Sequence, residues 1–121
     1  MTAREMWEKY STEQNIGAEY EAWAYGDDPD TLARLTLNGT KTATASLHLW
    51  YGLENEELPK AGQYSVVLDS RDEAVCIIRT SRVFVCPFES VDERQAYKEG
   101  EGDRSLAYWR KVHENFFSGE L

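Results

Sequence analysis

The sequence predicts an α+β fold, a small mixed domain with several antiparallel strands in its middle and helices at its edges. Three observations predict it. The runs "QYSVVLD" and "AVCIIRTSRVFV" have the β-branched character of strands, and "SRDE" between them suits a hairpin turn. Apolar residues recur at helical intervals at both ends, as Met6, Trp7 and Tyr10 and as Leu106, Trp109, Val112 or His113, and Phe116. With 121 residues and 41% hydrophobic content, residues 1–121 fit a single domain with a modest core and a short N-terminal helical extension.

Taken in order, "TAREMWEKYSTEQ" sets Thr2 and Glu5 at capping-box spacing and predicts the first helix. "AEYEAWAYGDD" is rich in aromatics, shows neither period clearly, and ends in turn chemistry from Gly26 to Pro29. "PDTLARLTLNG" predicts a second helix, capped by Asp28 or Asp30, with Leu32 and Leu35 inward and Asn38-Gly39 closing it. From Thr42 to Leu49 the pattern alternates. Thr42, Thr44, Ser46 and His48 share one face and Ala43, Ala45, Leu47 and Leu49 the other, which predicts a half-buried strand.

"YGLENEELPKAG" is an acidic loop before the two central strands. Pro87 breaks the second of these, and Ser90 with Glu93 offers a capping box for a helix through Tyr97. "KEGEGDRS" is a polar loop from which Asp103 or Ser105 caps the last helix, and Gly119 is placed to end that helix. There is no repeat, no low-complexity tract and no linker between two cores.

Composition narrows function. The net charge is −9, with 22 acidic against 13 basic residues, which argues against a protein that coats long phosphate backbones. A nucleoside or other small molecule remains a suitable substrate, and contact with one loop or end of an RNA stays open. Cys76 and Cys86 lie inside apolar runs and are expected as buried, reduced thiols of a cytoplasmic protein. The start "MTAREMWEKY" is no signal peptide, and no window approaches the ~20 apolar residues of a membrane span, so no membrane partner is expected. His48 and His113 are far apart with no ligand spacing, so neither a metal nor a cofactor is expected, and His113 reads as a core or cap residue. No phosphate-cradling glycine loop and no nucleophile elbow is present.

Two polar clusters carry the chemistry. In "GTKTAT", Lys41 stands among hydroxyl residues. A partly desolvated amine can take the proton of a threonine hydroxyl; equally, a strand-edge lysine simply snorkels. On an ideal strand Lys41 and Thr44 point to opposite faces, so they meet only if Lys41 lies in the turn after Gly39. In "YKEGEGDRS", glycines flank Glu99 and Glu101, giving either a carboxylate turned into a pocket or a solvated acidic loop.

"GTKTAT" resembles the GxKxxT motif of the ASCH domain, a PUA-like β-barrel family linked to RNA. "AWAYGDDPDTLARLTLNGTKTAT", "LPKAGQYSVVLD" and "AYKEGEGDRSLAYWRKVHENFF" resemble its small bacterial stand-alone members, from about Trp23 to Phe117. The resemblance implies a barrel of about six strands, flanked by helices, with a cleft lined by the lysine motif. Some small bacterial members are amidohydrolases that remove the acetyl group of N4-acetylcytidine, and another is a ribonuclease.

By the motif, the amidohydrolase Lys and Thr fall on Lys41 and Thr44, and its Glu on Glu99, with Glu101 as competitor. Ser46 stands where the family pattern often has Arg, which removes a fixed cation suited to phosphate or a base carbonyl. Thr42, Ser46 and Glu101 are placed on the substrate side, with Trp23, Tyr25 or Trp50 available to stack on a base. The leading expectation is a small metal-free amide hydrolase using Lys41, Thr44 and Glu99. The alternatives are a non-catalytic module binding RNA or a modified nucleoside and, third, a metal-independent ribonuclease.

Overall fold

The computed structural model describes residues 1–47, 51 and 58–120. The chain packs as two units, Met1–Leu37 with Pro59–Val83, and Asn38–Leu58 with Phe84–Leu121.

The first unit is a three-stranded sheet with two helices. Helix α1 (Ala3–Glu13) begins at the expected capping box: Glu5 N–H donates to Thr2 Oγ1 at 3.1 Å, and Thr2 N–H to Glu5 Oε1 at 3.0 Å. Its buried Trp7 stacks on Tyr20 at 5.0 Å and tilts against Tyr64 at 5.3 Å, which fixes the helix to the sheet. Strand β1 (Tyr20–Ala24) is the aromatic stretch that showed no clear period, and it pairs in parallel with β2 (Tyr64–Leu68). Strand β3 (Ala74–Arg79) returns antiparallel to β2 through the expected hairpin. Val66 and Val67, fully buried, form the centre of this core.

Helix α2 (Pro29–Leu37) starts with proline in the first turn and ends where Gly39 takes φ +84°. Leu32 N–H bonds the carbonyl of Asp28, whereas the Asp30 carboxylate accepts from Ser70 N at 2.8 Å and Ser70 Oγ at 2.9 Å. Asp30 therefore ties the helix to the β2–β3 turn rather than capping it.

Several expectations are corrected here. The sheet is mixed, as the expected mixed or antiparallel arrangement allows, but the described strands lie in the open order β1-β2-β3, so the closed barrel that the resemblance implies is not shown. Residues 41–47 form no strand, although their exposure alternates as expected; His48 and Leu49 lie outside the described residues. The reason is local: the N–H groups of Thr42 and Ala43 are taken by the carbonyl of Lys98 instead of a neighbouring strand. Strand β3 stops at Arg79, Thr80 still exchanges backbone hydrogen bonds with Gln63 and Gly62, and Phe84, Val85 and Cys86 are exposed. Cys76 alone of the two thiols is half-buried, and burial raises its pKa.

The second unit is helical in its described part. After a 3-10 turn (Phe88–Ser90), helix α3 (Glu93–Glu99) is capped by Asp92, which accepts from Gln95 N at 2.9 Å, not by a Ser90–Glu93 box. Helix α4 (Leu106–Glu120) is capped by Ser105, whose hydroxyl accepts from Tyr108 N at 3.1 Å, and it runs past Gly119. Trp109 is buried and packs against Phe88 at 5.3 Å. Among the described residues no helix is long and apolar enough to cross a membrane.

Candidate functional site

Within the second unit, two stretches distant in sequence are bound to each other. Thr42 N and Ala43 N donate to the Lys98 carbonyl at 2.7 and 3.1 Å, and Thr42 Oγ1 reaches the same oxygen at 3.4 Å. Helix α3 exits through Gly100 at φ +69°, where a Cβ would stand 2.5 Å from the carbonyl oxygen of Thr40, so only glycine lets the backbones approach this closely. Arg104 clips the junction. Its Nε donates to Tyr97 O at 2.9 Å, its Nη2 to Thr40 O at 3.3 Å, and its guanidinium lies 3.6 Å above the Tyr97 ring.

This junction turns Lys41 inward. As the sequence required for a site role, Lys41 follows the turn at Gly39 rather than sitting in a strand. It is 4% exposed, and its Nζ donates to Ala43 O at 3.0 Å, Glu99 O at 3.4 Å and Glu101 Oε2 at 3.2 Å. The Glu99 carboxylate lies close too, with Oε1 at 3.7 Å from Nζ. An ammonium has three N–H groups, and protein oxygens engage them here.

Among the described residues Glu99 is the most enclosed acid, 1% exposed. Its Oε2 accepts from Gln95 Nε2 at 2.9 Å and Trp109 Nε1 at 2.7 Å. Its Oε1 has no donor aligned on it and is flanked by His113 Nε2 at 3.3 Å and Lys41. Burial opposes ionisation of Glu99, but His113, Gln95 and Lys41 outweigh it and hold the carboxyl below its ordinary range. For His113 burial likewise opposes charging, and Glu99 outweighs it, so the imidazole pKa is raised. The Glu101 side chain is 17% exposed, the more open of the two carboxylates.

Of the expected site residues, the fold brings together Lys41, Glu99 and Glu101. Thr42 borders them through Lys98. Thr44 and Ser46 are on the exposed side of the same stretch, with Ser46 Oγ 2.6 Å from Tyr51 OH. Trp23 belongs to the first unit, edge-on to Tyr25 at 5.1 Å, and Trp50 lies outside the described residues. Sequence reasoning missed Gln95, Arg104, Trp109 and His113. Three of these carried a signal: Gln95–Glu99 and Trp109–His113 are four apart on their helices and so share a face. Glu99, Glu101 and His113 offer donor atoms within 4.8 Å of one another, but the Lys41 ammonium already contacts both carboxylates and supplies the positive charge there.

Comparison with known proteins gives three findings. The family model of the ASCH domain matches residues 21–121. No curated protein is a significant match. Among solved structures, an ASCH domain crystal structure from Lactobacillus crispatus is similar at 37% identity with TM-score 0.80, covering 98% of this chain and 72% of that one. The crystal structure of protein EF3133 from Enterococcus faecalis is similar at 35% identity with TM-score 0.89, covering 98% of this chain and 74% of that one.

Proposed function

The chain belongs to the ASCH domain family, and from that premise we propose that it is a small hydrolase of an N-acylated nucleoside or related amide, represented by N4-acetylcytidine. The observation that carries the reading is the Lys41 amine, removed from water and 3.2 Å from the partly open Glu101 carboxylate. A carboxylate that carries a proton and a fixed cation that faces the developing oxyanion are what amide hydrolysis needs.

Glu101, the more open carboxylate, is the base, and the Lys41 ammonium beside it faces the charge that develops on the acyl oxygen. Water gives its proton to Glu101 as its oxygen bonds to the acyl carbon. The carbon–nitrogen bond breaks, Glu101 returns its proton to the leaving nitrogen, and cytidine and acetic acid depart with Lys41 and Glu101 restored. Glu99 holds Lys41 in place from within the unit.

A second reading is a binding module without chemistry, and one observation favours it: the N–H groups of Lys41 are already engaged by protein oxygens. Calorimetry with N4-acetylcytidine, followed by chromatography of the same sample, separates the two. Release of cytidine and acetate supports the hydrolase. Saturable heat with the ligand recovered intact supports the module and defeats the hydrolase.

A further inference from the structure

We propose that His113 is a positioning residue that keeps a proton between its Nε2 and Glu99 Oε1, so that the site rests as a closed quartet of two cations and two carboxylates. The argument starts from the ring's two nitrogens. His113 Nδ1 lies 2.9 Å from the carbonyl oxygen of Trp109, which has no proton to offer, so Nδ1 carries one. Nε2 lies 3.3 Å from Glu99 Oε1, a buried oxygen on which no donor is aligned. A bare Nε2 facing an ionised carboxylate would set two lone pairs against each other where water does not reach. A proton shared between these two atoms removes that conflict.

The surroundings agree. The Trp109 ring lies flat on the imidazole, with centroids 4.2 Å apart and planes 16° apart, a face that favours a cation. Phe117 meets the ring edge-on at 5.6 Å. The charged groups facing His113 are Glu99 from α3, Glu101 from the loop after it, and Lys41 from the 38–43 stretch. The Lys41 nitrogen is nearer to Glu101, at 3.2 Å, than to Glu99, at 3.7 Å. That is the arrangement expected if Glu99 already has a cation of its own. His113 thus leaves Lys41 to Glu101, the pair that carries the proposed reaction; only this consequence rests on that reaction.

The test is nitrogen NMR of the full chain with 15N-labelled histidine. The chain has two histidines, so His113→Asn assigns both imidazoles. At neutral pH both ring nitrogens of His113 should be protonated. The midpoint of that titration should fall by roughly one pH unit or more in Glu99→Gln and by less in Glu101→Gln. A neutral His113 ring at pH 7, a midpoint indifferent to Glu99→Gln, or an Nε2 signal that changes on adding a chelator would each overturn the proposal. If either variant fails to fold, the protonation of the native ring still decides. Turnover of N4-acetylcytidine should fall as pH rises through the same midpoint; a limb unrelated to it would remove the positioning role. No turnover with the NMR result intact would defeat the reaction and leave the proton where it is placed here.

Discussion

The Trp109 indole N–H donates to Glu99 Oε2 across 2.7 Å, and both residues are almost wholly buried. One helix thereby hands a core aromatic's only polar atom to the other helix's most enclosed acid. Trp109→Phe keeps a ring against Phe88 and removes the donor. A hydrogen bond to a charged group contributes about 1.5–3 kcal/mol, and denaturant unfolding should show a loss of that order. An unchanged midpoint would mean that the contact contributes nothing.

Lys41→Met should cost more. It removes the ammonium that both carboxylates contact, and removing one partner of a buried ionic group costs about 3–5 kcal/mol. Glu101→Gln, at a side chain 17% exposed, should destabilise less. Thermal melts of the two variants give the order directly.

Gly100→Ala probes the close approach that builds the site. The added Cβ meets the Thr40 carbonyl, and the left-handed backbone costs a non-glycine residue about 1–2 kcal/mol by itself. Stability should drop by at least that much, and the amides of Thr42 and Ala43 should exchange faster. Gly17→Ala, where a Cβ meets nothing within 4 Å, should change stability by no more than about 0.5 kcal/mol.

The pH dependence of stability follows from two opposite shifts. Glu99 is held below its ordinary value of 4.5, so its contribution is present above pH 4.5 and is lost as pH falls through the folded value. His113 is raised above 6.5, so its contribution is complete below pH 6.5 and is lost as pH rises through the folded value. Both are intact between those limits. Unfolding free energy measured across pH should be highest there, and His113→Asn should remove the alkaline fall and reduce, without abolishing, the acid one, since Gln95 and Lys41 still favour the Glu99 carboxylate.

Local chemistry was legible in the sequence where one stretch of chain decides the outcome. Thr2 with Glu5 set the first cap, Asn38-Gly39 the end of α2, and "SRDE" the hairpin, because each needs only near neighbours. Residues 41–47 show where that reasoning stops. Their alternation predicts a strand, and their exposure does alternate, but the Lys98 carbonyl takes the N–H groups that a ladder would need. The parallel pairing of β1 with β2 was likewise invisible, since register between distant strands leaves no local mark.

The site was legible by halves. Lys41, Glu99 and Glu101 were named from their motifs, and the fold gathers them. His113 was read as a core or cap residue because no second ligand-type residue stood at helical spacing from it. Its partner is Glu99, on another helix, and a pairing of that kind appears only when the helices pack. Asp92 took the cap expected of Ser90 for a simpler reason: the 3-10 turn at Phe88–Ser90 delays the start of α3.

The most direct measurement is acetate release from N4-acetylcytidine by the native chain, Lys41→Met and Glu101→Gln under one set of conditions, each first verified as folded. The account predicts release by the native chain and a loss of about a hundredfold or more in both variants, the scale of a missing acid–base group or oxyanion partner. Equal rates in all three, or none from the native chain, would contradict it.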